Sequence, residues 1–231
     1  MERPKKLVYV SPDIYPGTPT LRAPEIRAVQ NVEALRALGF EITVITAKDS
    51  AGRSAVAERV VYMEQFPKHV FVRVNACWRY RRRVMQIVKR ELSDPATVLF
   101  CEHWPALLCC PQHSRTLYSC HDLESELMRW RRRRKSSNTT YKTRAYWWMA
   151  DWLEWRLLRR ADRFICVSAS EARKISARLQ LPVEYIPTVD PGTPPPFAEF
   201  ASESTTRIWF YGASGATANK IMLDHLAAGL F

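Results

Sequence analysis

No stretch of this chain approaches the run of about 18 apolar residues that a membrane span needs, so no transmembrane helix is expected. The opening, MERPKKLVYVSP, carries a basic patch, but LVYV is too short for the core of a signal peptide. Internal repeats are missing, and so are helix-turn-helix, zinc-finger and RNP signatures, which leaves nucleic-acid binding resting on charge alone. Six cysteines in 231 residues make no disulfide framework. Cys101, Cys120 and Cys166 close apolar, strand-like runs, where cysteine behaves as a small buried hydrophobe, and a reducing cytosol is the expected compartment. The last deficit is of negative charge. Asp and Glu number 23 against 35 Lys and Arg, giving a net charge of +12. That excess favours an anionic partner: a phosphate-bearing substrate, an anionic lipid surface or nucleic acid.

What is present alternates between strand and helix. Lys6–Val10 is a continuous apolar run of the kind buried on both faces of a parallel sheet. A loop with Pro12, Pro16, Gly17 and Pro19 follows. Residues 24–38 then read as a helix, with Ile26, Val29, Val32, Leu35 and Leu38 spaced by three, and Gly39 stops it. Glu41–Thr46 is the second strand. Further strands are expected at Val70–Val74, Thr97–Cys101, Thr116–Cys120, Arg163–Val167 and Val183–Ile186. Helices are expected at Arg79–Leu92, across residues 139–160, and at Ser170–Leu179. The fold class is therefore α/β, a Rossmann-like doubly wound parallel sheet over residues 1–187. Residues 188–205 lie in a Pro-rich linker, the stretch from Pro187 to Thr205 holding five prolines and no periodicity. Residues 206–231 begin a second domain with one strand and one helix. A lone strand–helix unit cannot cover its own apolar faces, so this domain is expected to be truncated.

Ligands of open α/β sheets sit beside the carboxyl ends of the strands, and the polar residues there are the candidates. His121 and Asp122, in CHDLESE, follow one strand. There the imidazole can act as base, hydrogen-bond donor or substrate contact, and Asp122 can equally cap a helix start. His103, in CEHWP, holds the same place after the preceding strand. A metal site from Cys109, Cys110, His113, Cys120 and His121 lacks the usual C-x₂-C spacing. Cys120, His121 and Asp122 make a poor thiol nucleophile, since three consecutive side chains diverge. Gly212-Ala-Ser-Gly215 opens a helix and can hold a phosphate on backbone N–H groups. Basic clusters lie at Arg79–Arg83, Arg129–Lys135 and Arg156–Arg163. The Trp-rich stretch from Tyr146 to Trp155 reads either as buried core or as an anchor at an anionic membrane interface.

The opening LVYVSPDIYPG, the helix end LRALGFEITVIT, the HDLESE segment and ADRFICVSASEARKI…VEYIPTVD, in that order, resemble family 4 of the retaining glycosyltransferases. The likeness covers its N-terminal domain over residues 5–190, and RIWFYGASGATANKIMLDHLAAGLF resembles the start of its donor domain. The resemblance implies a GT-B fold, two Rossmann-like halves facing across a cleft. It implies transfer of a sugar from a nucleotide-sugar (UDP- or GDP-sugar) to a glycan or lipid-linked acceptor, with no tightly bound cofactor or metal. His121 would be the catalytic residue, matching the histidine that reaches the transferred sugar. Pro16, Gly17 and Thr18 would line the acceptor side of the cleft, joined there by the strand-end residues His103 and Asp122. Gly212 and Lys220 would bind donor phosphate. The usual paired glycines of the first loop are reduced to Gly17, an expected arginine is Ala213, and the acidic E-x₇-E region has no counterpart before Phe231. Little activity is therefore expected without a complementing C-terminal domain, and the alternative is a non-catalytic module for an anionic glycan, a membrane surface or a partner protein. The expected location is cytoplasmic, peripheral at the inner membrane face.

Overall fold

The computed structural model of the chain describes residues 5–12, 16, 23–47, 57, 59–64, 74–123, 125–126 and 141–187. The chain divides into two compact units, Met1–Asp190 and Pro191–Phe231, and every described residue belongs to the first. Seven strands form one sheet: β1 (Lys5–Ser11), β2 (Phe40–Ala47), β3 (Arg59–Met63), β4 (Val98–Glu102), β5 (Thr116–Cys120), β6 (Arg163–Cys166) and β7 (Val183–Tyr185). The helices are α1 (Ala23–Ala37), α2 (Val74–Glu91), α3 (His103–Cys109), α4 (Tyr141–Leu158) and α5 (Ala169–Leu179). All strand pairs are parallel and the order is β3-β2-β1-β4-β5-β6-β7. The order reverses between β1 and β4, so the crevice of a doubly wound sheet lies at their carboxyl ends.

One expectation is corrected. Val74 is the first residue of α2 rather than the end of a strand; residues 70–73 lie outside the described set. The edge strand is instead Arg59–Met63, only partly covered along its length, so its apolar pattern is weak. A short helix that the sequence did not suggest, α3, starts straight out of β4. Pro105 sits in its first turn, where a missing N–H removes a donor that would have been orphaned anyway.

Alternation along the strands splits the core. Leu7, Tyr9, Ile42, Val44 and Phe100 pack beneath Val32 of α1. Val8, Val10, Leu99, Cys101, Tyr118 and Phe164 pack with residues of α2 to α5, including Val84, Leu107, Leu158 and Ile175. Two members of the basic clusters are structural. Arg81 donates to the Leu108 carbonyl at 2.8 Å and Arg160 to the Leu107 carbonyl at 2.7 Å, satisfying the orphan carbonyls at the end of α3. Cys101, Cys109, Cys110, Cys120 and Cys166 are all free and buried.

Candidate functional site

The site grows from one buried carboxylate. Two residues past Phe100 on β4, Glu102 points to the same face as Tyr9 of β1, and its register partner on β5 is Ser119. His121 follows β5 on that face, and α1 lies over it. The Tyr9 hydroxyl donates to Glu102 Oε2, and Asn31 Nδ2 of α1 donates to the same oxygen at 2.9 Å. Ser119 Oγ donates to Oε1 at 2.9 Å, and His121 Nε2 meets that oxygen too. Each carboxylate oxygen thus accepts two hydrogen bonds, and Glu102 has no exposed surface at all.

Burial alone would raise the pKa of Glu102, but the charge and hydrogen bond of His121, with the Tyr9 and Asn31 donors, outweigh it and hold the group below its ordinary value. Glu102 is therefore ionised near neutrality and only accepts, so His121 Nε2 carries a proton toward it. Nδ1 is left as the ring nitrogen available to a ligand. Burial, reinforced by the charge of Glu102, raises the Tyr9 pKa and keeps the phenol a donor.

Solved structures similar to the chain share little sequence with it. A transferase from Siraitia grosvenorii in complex with UDP is 15% identical, with a TM-score of 0.43 over 78% of this chain and 50% of that one. A UDP-glucosyltransferase from Polygonum tinctorium, capable of glucosylating indoxyl, is 10% identical, with a TM-score of 0.45 over 84% and 55%. The chain spans about half the length of these solved proteins. No curated protein matches it significantly. The family comparison is decisive, because the model of Glycosyltransferase Family 4 matches residues 25–194, most of the chain. The chain belongs to Glycosyltransferase Family 4.

With the family established, its sheet is the Rossmann-like N-terminal half of a GT-B glycosyltransferase. Of the residues expected at the cleft, His121 sits within the carboxylate cluster and is 7% exposed. His103 is beside it, the two rings 6.2 Å apart and edge-on. Its φ of +65° puts a non-glycine residue in the left-handed region, a strained turn at the mouth of the site. Asp122 is exposed and makes no hydrogen bond to Glu102. Pro16 is buried, whereas Gly17, Thr18, Gly212 and Lys220 lie outside the described residues. Among the described residues no three His, Cys, Asp or Glu side chains group to hold a metal ion. His113 in particular bonds the Thr97 carbonyl at 2.7 Å, at the amino end of β5 and so away from His121. Hydrogen bonding to Cys166 and burial push the Cys120 thiol well up, removing it as a nucleophile. Sequence reading missed Glu102, Tyr9, Asn31 and Ser119. The available signal was Asn31, a polar residue interrupting the apolar stripe of α1.

The segment that carries His121 is held by its backbone. Glu171 of α5 accepts from the Leu123 N–H at 3.0 Å, and Glu154 of α4 from the Ser125 N–H at 2.9 Å. Lys174 pairs with Glu126 at 2.9 Å. Glu171 has its pKa raised by burial and by the nearby charge of Asp122, against the lowering effect of the Leu123 N–H.

Proposed function

We propose that this chain forms the acceptor-side part of a retaining glycosyltransferase that moves a sugar from a UDP- or GDP-sugar to a glycan or lipid-linked acceptor. The observation that carries the reading is the Glu102–His121 pair at the carboxyl edge of β4 and β5, beside the point where strand order reverses. The buried carboxylate fixes the imidazole and stabilises it whenever it gains charge, and Nδ1 then meets the sugar or its acceptor. Pro16, Gly17, Thr18, His103 and Asp122 line the acceptor side in this reading. Gly212 and Lys220 take donor phosphate, and a complementing C-terminal domain supplies the opposite wall. Calorimetric titration tests it. Binding of UDP, GDP or a derivative is the expected result. An anionic glycan bound with no nucleotide affinity would make the chain a binding module instead. Oligonucleotide binding with a steep salt dependence would make it a nucleic-acid protein.

An anionic membrane face as docking partner is supported by α4. No described helix is long and apolar enough to cross a membrane. The Trp-rich helix splits between the two readings its sequence allowed: Trp155 is buried, while Trp148 and Trp152, four residues apart on one side, are 71% and 50% exposed. Arg156 stacks over the Trp152 ring at 5.4 Å, so aromatic and basic groups share that surface, as interfacial helices require. Replacing Trp148 and Trp152 together with alanine is expected to lower partition onto vesicles of mixed phosphatidylcholine and phosphatidylglycerol by about tenfold, read by co-sedimentation. Unchanged partition would remove the membrane from the account.

A further inference from the structure

One buried cation near the site feels the charge of Glu102 but makes no hydrogen bond to it. Arg27 lies one helical turn before Asn31 on α1 and is only 3% exposed. In a parallel sheet the start of α1 lies at the carboxyl edge, so Arg27 stands nearer the crevice mouth than the Asn31–Glu102 hydrogen bond. Its Nη1 donates to the carbonyl of Pro187, just past β7, at 3.3 Å. Its Nε and Nη2 have no hydrogen-bond partner among the described residues. The orphaned pair is telling. Nε–H and Nη2–H leave the same side of the guanidinium as two parallel donors, the fork that grips two oxygens of a phosphate or carboxylate. Burying a charge with two unmet donors is costly unless something fills the fork. Glu102 does not fill it, since both of its oxygens already accept two hydrogen bonds.

We propose that Arg27 is the seat of an oxyanion on the ligand that enters this crevice, held side-on by Nε and Nη2 while Pro187 fixes the guanidinium plane. This deepens the transferase reading and rests on it for the direction from which the ligand arrives. The oxyanion comes from one of two sources: the phosphates of the nucleotide donor, or a phosphate or carboxylate on the acceptor. The net charge of +12 draws either one in.

The test uses the full chain and three forms, wild type, Arg27→Lys and Arg27→Gln, at constant ionic strength. Inorganic phosphate and acetate are titrated by thermal shift, UDP and glucose 6-phosphate by calorimetry. Phosphate or acetate is expected to stabilise the wild type, with apparent affinity falling tenfold or more in both variants. Lysine keeps the charge but lacks the fork, so a loss in Arg27→Lys isolates the geometry even where Arg27→Gln does not fold. A matching loss for UDP assigns the oxyanion to the donor. A loss confined to glucose 6-phosphate assigns it to the acceptor. Equal anion responses in wild type and Arg27→Lys would overturn the proposal and make Arg27 a structural link to Pro187. Failure of the wild type to bind any nucleotide, with the anion response intact, would instead overturn the donor part of the transferase reading.

Discussion

Replacing Glu102 by alanine is expected to lower folding stability by about 4 kcal/mol, a fall in melting temperature on the order of 10 °C for a chain of this size. The size of the effect comes from what is left behind. Tyr9, Asn31, Ser119 and His121 all point at the vacated space, and each buried donor without an acceptor costs about 1–3 kcal/mol before water or rearrangement recovers part of it. Glu102→Gln is milder. Its carbonyl oxygen still serves Ser119 and His121, and its NH₂ can donate to the Tyr9 hydroxyl, but that group then opposes Asn31 Nδ2, another donor. A cost of about 2 kcal/mol follows. The two proteins also differ in acid. Folding lowers the pKa of this carboxyl from its ordinary 4.5, so as pH falls the unfolded chain takes up the proton first. The stability Glu102 contributes is complete above about pH 5 and is lost below it as pH falls through the folded-state value. Chemical denaturation of wild type against Glu102→Gln should therefore show a gap that narrows between about pH 5 and pH 3. Glu171, whose pKa is raised, works in the opposite sense in both proteins and cancels from the difference. A gap that stays constant with pH would mean that folding leaves the Glu102 pKa unshifted, and one that widens as pH falls would mean that Glu102 is neutral in the folded state.

The second large effect is on turnover. In the proposed transferase, assayed together with its complementing C-terminal domain, His121→Ala is expected to cut sugar transfer by at least about 100-fold, the ordinary yield of a positioned acid or base. It should also cost about 1–2 kcal/mol of stability, because Glu102 Oε1 loses one of its two donors. Glu102→Gln should act through the histidine, shifting the pH dependence of transfer more than its maximum, which marks Glu102 as a positioning residue. Radiolabelled sugar transfer across pH 5–9, with melting curves for every protein, separates these outcomes. Transfer that survives in folded His121→Ala would remove the histidine from the chemistry.

Much of the architecture was legible because parallel strands buried on both faces are short apolar runs that end in polar residues. Leu7–Val10, Thr116–Cys120 and Arg163–Cys166 announce themselves that way. β3 did not, being an edge strand with Arg59 and Tyr62 in solvent and the rest only half-buried, while Val70–Val74 looked more strand-like by composition. His121 was visible from its place after a strand. Glu102 was hidden by the same logic, since an acid at a strand end reads as solvated. Its burial becomes clear only when the strand order sets β1, β4 and β5 side by side, gathering Tyr9, Glu102 and Ser119 from distant parts of the chain. The basic runs misled in part. Arg81 and Arg160 serve carbonyl groups of α3, and that demand lies in the backbone rather than in any side-chain pattern.

The grips on the main chain at Leu123 and Ser125 carry an evolutionary consequence. Glu171 and Glu154 hold peptide N–H groups, which nearly every amino acid supplies, and the exposed position 122 lies just before the first of them. Descendants of this chain can therefore diversify at position 122 while the neighbouring imidazole keeps its bearing.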